Sequence, residues 1–134
     1  MDLLTDLADY LILNNFATEK SEDIFKNSLP PDPADVIALF EYSGRPPPYP
    51  IEIMDRSIQI DCRSADPDQT ASKAWQIYKF LCPVEDSKYR RKVTLSEARW
   101  AIIRPKDTPH ELYVDDNGRS IWICNYAFLT QGDG

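Results

Sequence analysis

The chain has 134 residues, enough for one domain with a real core, and its 43% hydrophobic content is ordinary for a soluble globule. Its 15 Lys and Arg against 22 Asp and Glu leave a net charge of −7, which repels phosphate and argues against a basic nucleic-acid surface. No apolar run approaches the ~20 residues needed to cross a bilayer, and the acidic start Met1-Asp2-Leu3-Leu4-Thr5-Asp6 lacks the basic residues of a signal peptide, so synthesis in a cytoplasm is expected.

Asp2 to Asn15 reads as an amphipathic helix. Leu3, Leu7, Tyr10, Leu11 and Asn14 form one stripe, widened by Leu4 and Ala8, and Asp2 and Asp6 suit the positive end of the helix dipole. Ile24 to Leu29 alternates only loosely and predicts a short strand. Pro30-Pro31-Asp32-Pro33 cannot pair inside a sheet, so it is a rigid connector. Val36 to Tyr42 is almost continuously apolar, the pattern of a central strand covered on both faces. Ser43 to Pro50 carries four prolines and Arg45 in eight residues, which favours extended polyproline geometry. It is either a stiff surface loop or a preformed contact arm. In the second case Arg45 and Tyr49 supply side chains of the kind that anchor interfaces, and proline limits the entropy lost on docking.

Ile58, Ile60 and Cys62 alternate with Gln59, Asp61 and Arg63, so this stretch predicts a half-buried strand. Asp66-Pro67 with Gln69 then has the spacing of a helix start with a capping box. Ala71, Ala74, Trp75, Tyr78, Leu81 and Cys82 share the face laid on the sheet, and Pro83 ends the helix. The polar run from Val84 to Lys92, with Lys88, Tyr89, Arg90, Arg91 and Lys92, reads as a solvated loop or as half of an ion-pairing subunit contact. Flexible loops are expected at about 43–56 and 83–92. Ala98 to Arg104 predicts a strand ended by Pro105. Glu111–Asp115 and Arg119–Leu129 predict a hairpin around Asn117-Gly118, both of which tolerate positive φ, with Asp116 opposite Arg119. The last strand is apolar on both faces: Ile121, Ile123, Ala127 and Leu129 point one way, and Trp122, Cys124, Tyr126 and Phe128 the other. One face needs the core, and the other needs the helices or another subunit. The tail Gln131-Gly132-Asp133-Gly134 is expected to fray. The order of elements gives an α+β domain spanning residues 1–134, a mainly antiparallel β-sheet with two α-helices packed on one face.

No catalytic set emerges. The odd count of three cysteines, Cys62, Cys82 and Cys124, in apolar elements argues for buried reduced thiols. His110 is the single histidine, so one chain cannot build a two-histidine metal site. Asp61 with Asp66, or His110 with Cys124, are the best candidates for an enzyme, and no motif supports either. No cofactor and no metal is expected. The acidic surface serves solubility, or lets DNA slide past without sticking.

A series of motifs in order resembles the small minor capsid family of long-tailed bacteriophages, whose members are tail terminators or tail-to-head joining proteins. The series runs from Leu29-Pro30 through Asp35-Val36-Ile37-Ala38-Leu39-Phe40-Glu41-Tyr42, Gly44-Arg45-Pro46-Pro47 and Ile58-Gln59-Ile60-Asp61-Cys62-Arg63-Ser64. It continues with Ala71, Ala74-Trp75, Ile77-Tyr78, Arg104-Pro105 and Asp116-Asn117-Gly118-Arg119 leading into Asn125-Tyr126. The resemblance implies the same α+β fold and a non-enzymatic virion protein at the head–tail junction. It implies a homo-hexameric ring that caps the tail tube, halts tube growth and docks on the head connector or stopper, with DNA passing through and no membrane contact. Isolated subunits are expected to be monomeric. Interface residues expected on this reading are Arg45, Pro46, Pro47, Tyr49, Arg63, Tyr89, Arg90, Arg91 and Arg119. Another neck adaptor or a small α+β binding module is the alternative.

Overall fold

The computed structural model describes residues 2–45, 53–83 and 91–131. Its elements are α1 (Leu3–Leu13), β1 (Ile24–Lys26), β2 (Val36–Arg45), β3 (Ile53–Arg63), α2 (Pro67–Leu81), β4 (Arg91–Ser96), β5 (Arg99–Pro105), β6 (His110–Val114) and β7 (Ser120–Gln131). The strands form one mostly antiparallel sheet in the order β1-β2-β3-β7-β5-β4, with β6 also paired to β7. The fold is therefore the α+β class that the sequence predicts.

β7 is the central element. β3 pairs along it without a break, from Ile53 opposite Gln131 to Arg63 opposite Ile121. On its other side β6 takes Ser120 to Ile123, and β5 takes Tyr126 to Thr130. Cys124, Tyr126 and Phe128 point to the same face as Ile58, Ile60 and Cys62, and both helices close that face. Burying rings as large as Tyr126 and Phe128 contributes about 1.5–3 kcal/mol each.

Local chemistry sets the helices. The Asp2 carboxylate caps α1 by accepting the Thr5 N–H at 2.7 Å. Leu3, Leu4, Leu7, Ala8 and Leu11 are buried, as the stripe requires. The Asp66 carboxylate caps α2 by accepting the Asp68 N–H at 3.0 Å, and Pro67 opens the helix. The buried stripe of α2 is Thr70, Ala74, Ile77 and Leu81, so the helix is rotated from the expected face. Trp75 is 37% exposed and rests edge-on against Tyr78, with ring centroids 5.4 Å apart. Phe80 stacks on Tyr10 of α1 at 5.4 Å and meets the tilted ring of Phe16, just past that helix, at 5.1 Å. Phe80 is thus satisfied by α1, and Ile77 takes the sheet-facing position.

Several expectations change. β1 is shorter than 24–29, and β2 lies next to it, second from the sheet margin rather than central. Residues 43–45 and 53–56, expected in a loop, extend β2 and β3. Arg91 and Lys92, expected in a polar loop, open β4, a strand the sequence reading missed. Its Val93 and Leu95 alternate inward. The far face of β3 is not solvated: Asp61 and Arg63 are 5% and 3% exposed. Ile121, Ile123 and Ala127 are buried on that face within the single chain. Two loops lie over it. Arg63 and Arg119 draw in the Pro30–Pro33 connector. The Asp107 carboxylate accepts both the backbone and side-chain N–H groups of Asn125, at 2.8 Å and 2.7 Å.

The β6–β7 turn also differs from expectation. Gly118 has φ +75°, and Asn117 does not share it. The Gly118 N–H donates to Asp115 O and the Asp115 N–H to Arg119 O, both at 2.9 Å, which is a type I turn closed by a glycine bulge. Asp115, not Asp116, pairs with Arg119, at 2.9 Å. A Cβ at Gly118 would meet nothing within 4 Å. Gly118→Ala is therefore expected to cost the backbone term alone, about 1–2 kcal/mol, read as a lower urea midpoint with an unchanged slope.

Candidate interaction surface

The interface residues singled out in the sequence fall into two groups. Pro46, Pro47, Tyr49, Tyr89 and Arg90 lie outside the described residues, as do the side chains of Arg45 and Arg91. Arg63 and Arg119 are described, and the fold brings them together at one end of the far face, although 56 positions separate them in the chain (119 − 63).

Arg63 is held by its own chain. Its Nη2 donates to Pro30 O at 2.6 Å and Pro33 O at 2.7 Å, and its Nε to Ala34 O at 3.3 Å. The proline connector has few N–H groups to satisfy those carbonyls itself, so a buried guanidinium does it. Arg119 donates from Nε to Asp115 Oδ2 and from Nη1 to Pro31 O, both at 2.9 Å. Burial lowers the Arg63 pKa, and the nearby Arg119 charge lowers it further. The Arg119 backbone N–H, followed by that of Asn117 and the Arg119 side chain, holds the Asp115 carboxyl below its usual range. Arg63 and Arg119 line a cavity of about 220 Å³ together with Asp115, Asp116, Asn117, Tyr113, Leu29 and Pro31. Beside it runs β6, whose Leu112, Tyr113 and Val114 are 52%, 47% and 55% exposed. These three residues were missed in the sequence reading. The signal was present as an apolar triplet, but the hairpin motif explained them without asking which side of the strand was covered.

The groups considered for chemistry are occupied by structure. The Asp61 pKa is pushed up to about 6 by burial, offset only by the Gln59 amide at 2.8 Å. The Asp66 carboxylate caps α2. His110 Nδ1 bonds Thr108 O at 2.7 Å, and the Cys124 thiol points to Asp107 O at 3.5 Å. Burial pushes the Cys62 and Cys124 thiols up to about 12, so neither is a thiolate at neutral pH. No group of three His, Cys, Asp or Glu side chains with metal-site geometry occurs among the described residues. No described helix is long and apolar enough to cross a membrane.

The described residues thus form an α+β sheet with both helices on one face, and on its other face Arg63 and Arg119 hold loop carbonyls. The chain belongs to the bacteriophage tail terminator family: the family model described as bacteriophage tail terminator protein matches residues 10–131. Members of this family are structural proteins rather than enzymes, and the chain is accordingly a virion component that interacts with phage tail components. No curated protein matches it.

Proposed function

We propose that this protein caps the tail tube, stops its polymerisation and joins the tail to the head connector or stopper. It does so as a homo-hexameric ring through which DNA passes. The observation that carries this reading is the family match over residues 10–131, nearly the whole chain. The net charge of −7 supports it, because an acidic lumen does not grip DNA. Arg45, Pro46, Pro47 and Tyr49, together with Tyr89, Arg90 and Arg91, are proposed as docking arms. Arg63 and Arg119 are proposed as parts of a subunit contact built on the rigid turn and connector.

The test is electron microscopy of particles produced without this protein. Full heads separated from overlong or unattached tails are the expected result. Normal joined virions would overturn the terminator role and leave a neck adaptor as the better reading.

A further inference from the structure

The chemistry of Asn117-Gly118, at the β6–β7 turn, has no part in the assembly role proposed above. Asparagine followed by glycine is the pair best suited to spontaneous deamidation. The glycine nitrogen attacks the side-chain carbonyl carbon of the asparagine, and with no Cβ on the glycine nothing hinders the approach. A C–N bond forms, the bond to the side-chain nitrogen breaks, and ammonia leaves with the proton given up by the glycine nitrogen. Water then opens the five-membered succinimide at either carbonyl, giving aspartate or isoaspartate. Water is the single co-reactant. Asn117 is exposed, so water reaches it, and the space where a Cβ would stand at Gly118 is open.

The folded turn holds this reaction off. The succinimide closes only when the Asn117 Cβ and the Gly118 nitrogen are nearly eclipsed about the Asn117 Cα–C bond. Asn117 is the second central residue of a type I turn, where ψ is about 0°, which leaves those two atoms roughly 120° apart. Bringing them together swings the Gly118 N–H off Asp115 O, its partner at 2.9 Å. The same bond favours the protonated nitrogen, which must lose its proton to attack. The Asp115 carboxylate resists the swing from both sides. Its Oδ1 accepts the backbone N–H groups of Asn117 and Arg119, and its Oδ2 the Arg119 Nε, all at 2.9 Å. Arg119 is in turn tied to the proline connector through Pro31 O at 2.9 Å. We infer that Asn117-Gly118 is a modification site, a deamidation site kept latent by the Asp115–Arg119 clasp and released when that clasp opens. Either product changes the helix-free face. Aspartate adds a charge to the cavity shared with Arg63 and Arg119, and isoaspartate lengthens the main chain by a methylene inside the turn. This chemistry is independent of the ring.

To test it, the full chain is incubated at mildly alkaline pH in heavy-oxygen water, and the peptide holding Asn117 is followed by mass spectrometry. Solvent oxygen gained at Asn117 marks conversion, and chromatography separates the isoaspartate form. The chain unfolded in urea should convert at least about tenfold faster than the native chain. Asp115→Ala, checked for folding by circular dichroism, should convert at least about tenfold faster than folded wild type. Gly118→Ala, whose Cβ hinders the nitrogen, should convert several-fold more slowly in urea. No conversion at Asn117 in urea overturns the site, and an equal rate for Gly118→Ala there overturns Gly118 as the attacking group. Equal rates in native and unfolded wild type, or no acceleration in Asp115→Ala, overturn the clasp. Where Asp115→Ala does not fold, Arg119→Lys takes its place and must also accelerate the reaction, because lysine cannot hold Asp115 and Pro31 with two separate nitrogens.

Discussion

Asp6→Ala is expected to remove about 3–5 kcal/mol of stability, the loss that follows when one partner of a buried ion pair is deleted. Asp6 and Arg99 meet at 2.7 Å, with side chains 6% and 5% exposed, and Arg99 also donates to Gln131 O at 2.8 Å. This pair ties α1 to the start of β5 and the end of β7. Without the carboxylate, the buried Arg99 guanidinium loses this counter-charge. A domain of this size has about 5–15 kcal/mol in total, so the variant should melt far earlier than wild type. Replacing both partners with apolar residues, as in Asp6→Leu with Arg99→Met, should recover most of the loss, because neither charge is then buried. Urea denaturation of the wild type, the single variant and the double variant checks this. A single-variant loss under about 1 kcal/mol would mean that the pair behaves as a surface salt bridge.

Asp61→Asn is expected to act in the opposite direction. Asp61 lies on β3 between Ala38 and Ile123, and its one described hydrogen bond is from Gln59. Arg63, two residues on, is turned away to the proline connector. The folded-state pKa of about 6 lies above the ordinary 3.8, because burial disfavours the charged form. The folded chain therefore holds the Asp61 proton more tightly than the unfolded chain. Stability from this group falls as pH rises from about 4 to about 6, and the cost of the buried charge is complete above that window. Two pH units correspond to about 3 kcal/mol as an upper value. The asparagine variant keeps an oxygen for Gln59 and loses the charge. It should be more stable than wild type by up to about 3 kcal/mol at pH 8, with little difference at pH 4. A stability difference that stays constant across that range would refute the assignment.

Charges that the interior needs, Asp6 and Arg99, are paired across the chain. Asp61 is left as a cost on the helix-free face. On that same face Arg63 and Arg119 hold the connector and the turn through bonds to loop carbonyls and to Asp115.

The sequence alone determined the elements whose signals are local. The stripe of Leu3, Leu7 and Leu11 specifies α1, Asp66-Pro67 specifies the start of α2, and Asn117-Gly118 specifies a hairpin, because helix and strand periods and turn chemistry act within a few residues. The α+β class follows from the same level, and the structural character from the family to which the ordered motifs point. Tertiary structure alone decided the rest. The Asp6 partner lies 93 positions away, so its helix-dipole reading could not reveal a buried pair. The basic start of β4 hid a strand whose inward residues, Val93 and Leu95, matter only once β5 is beside them. Ile77 rather than Trp75 faces the sheet because Phe80 is claimed by Tyr10 and Phe16. Arg63 looks like a surface charge in an alternating strand until the proline connector folds over it. In each case the decisive term is long-range: burial and charge pairing depend on which segments meet, and that is set by sheet order rather than by neighbouring residues.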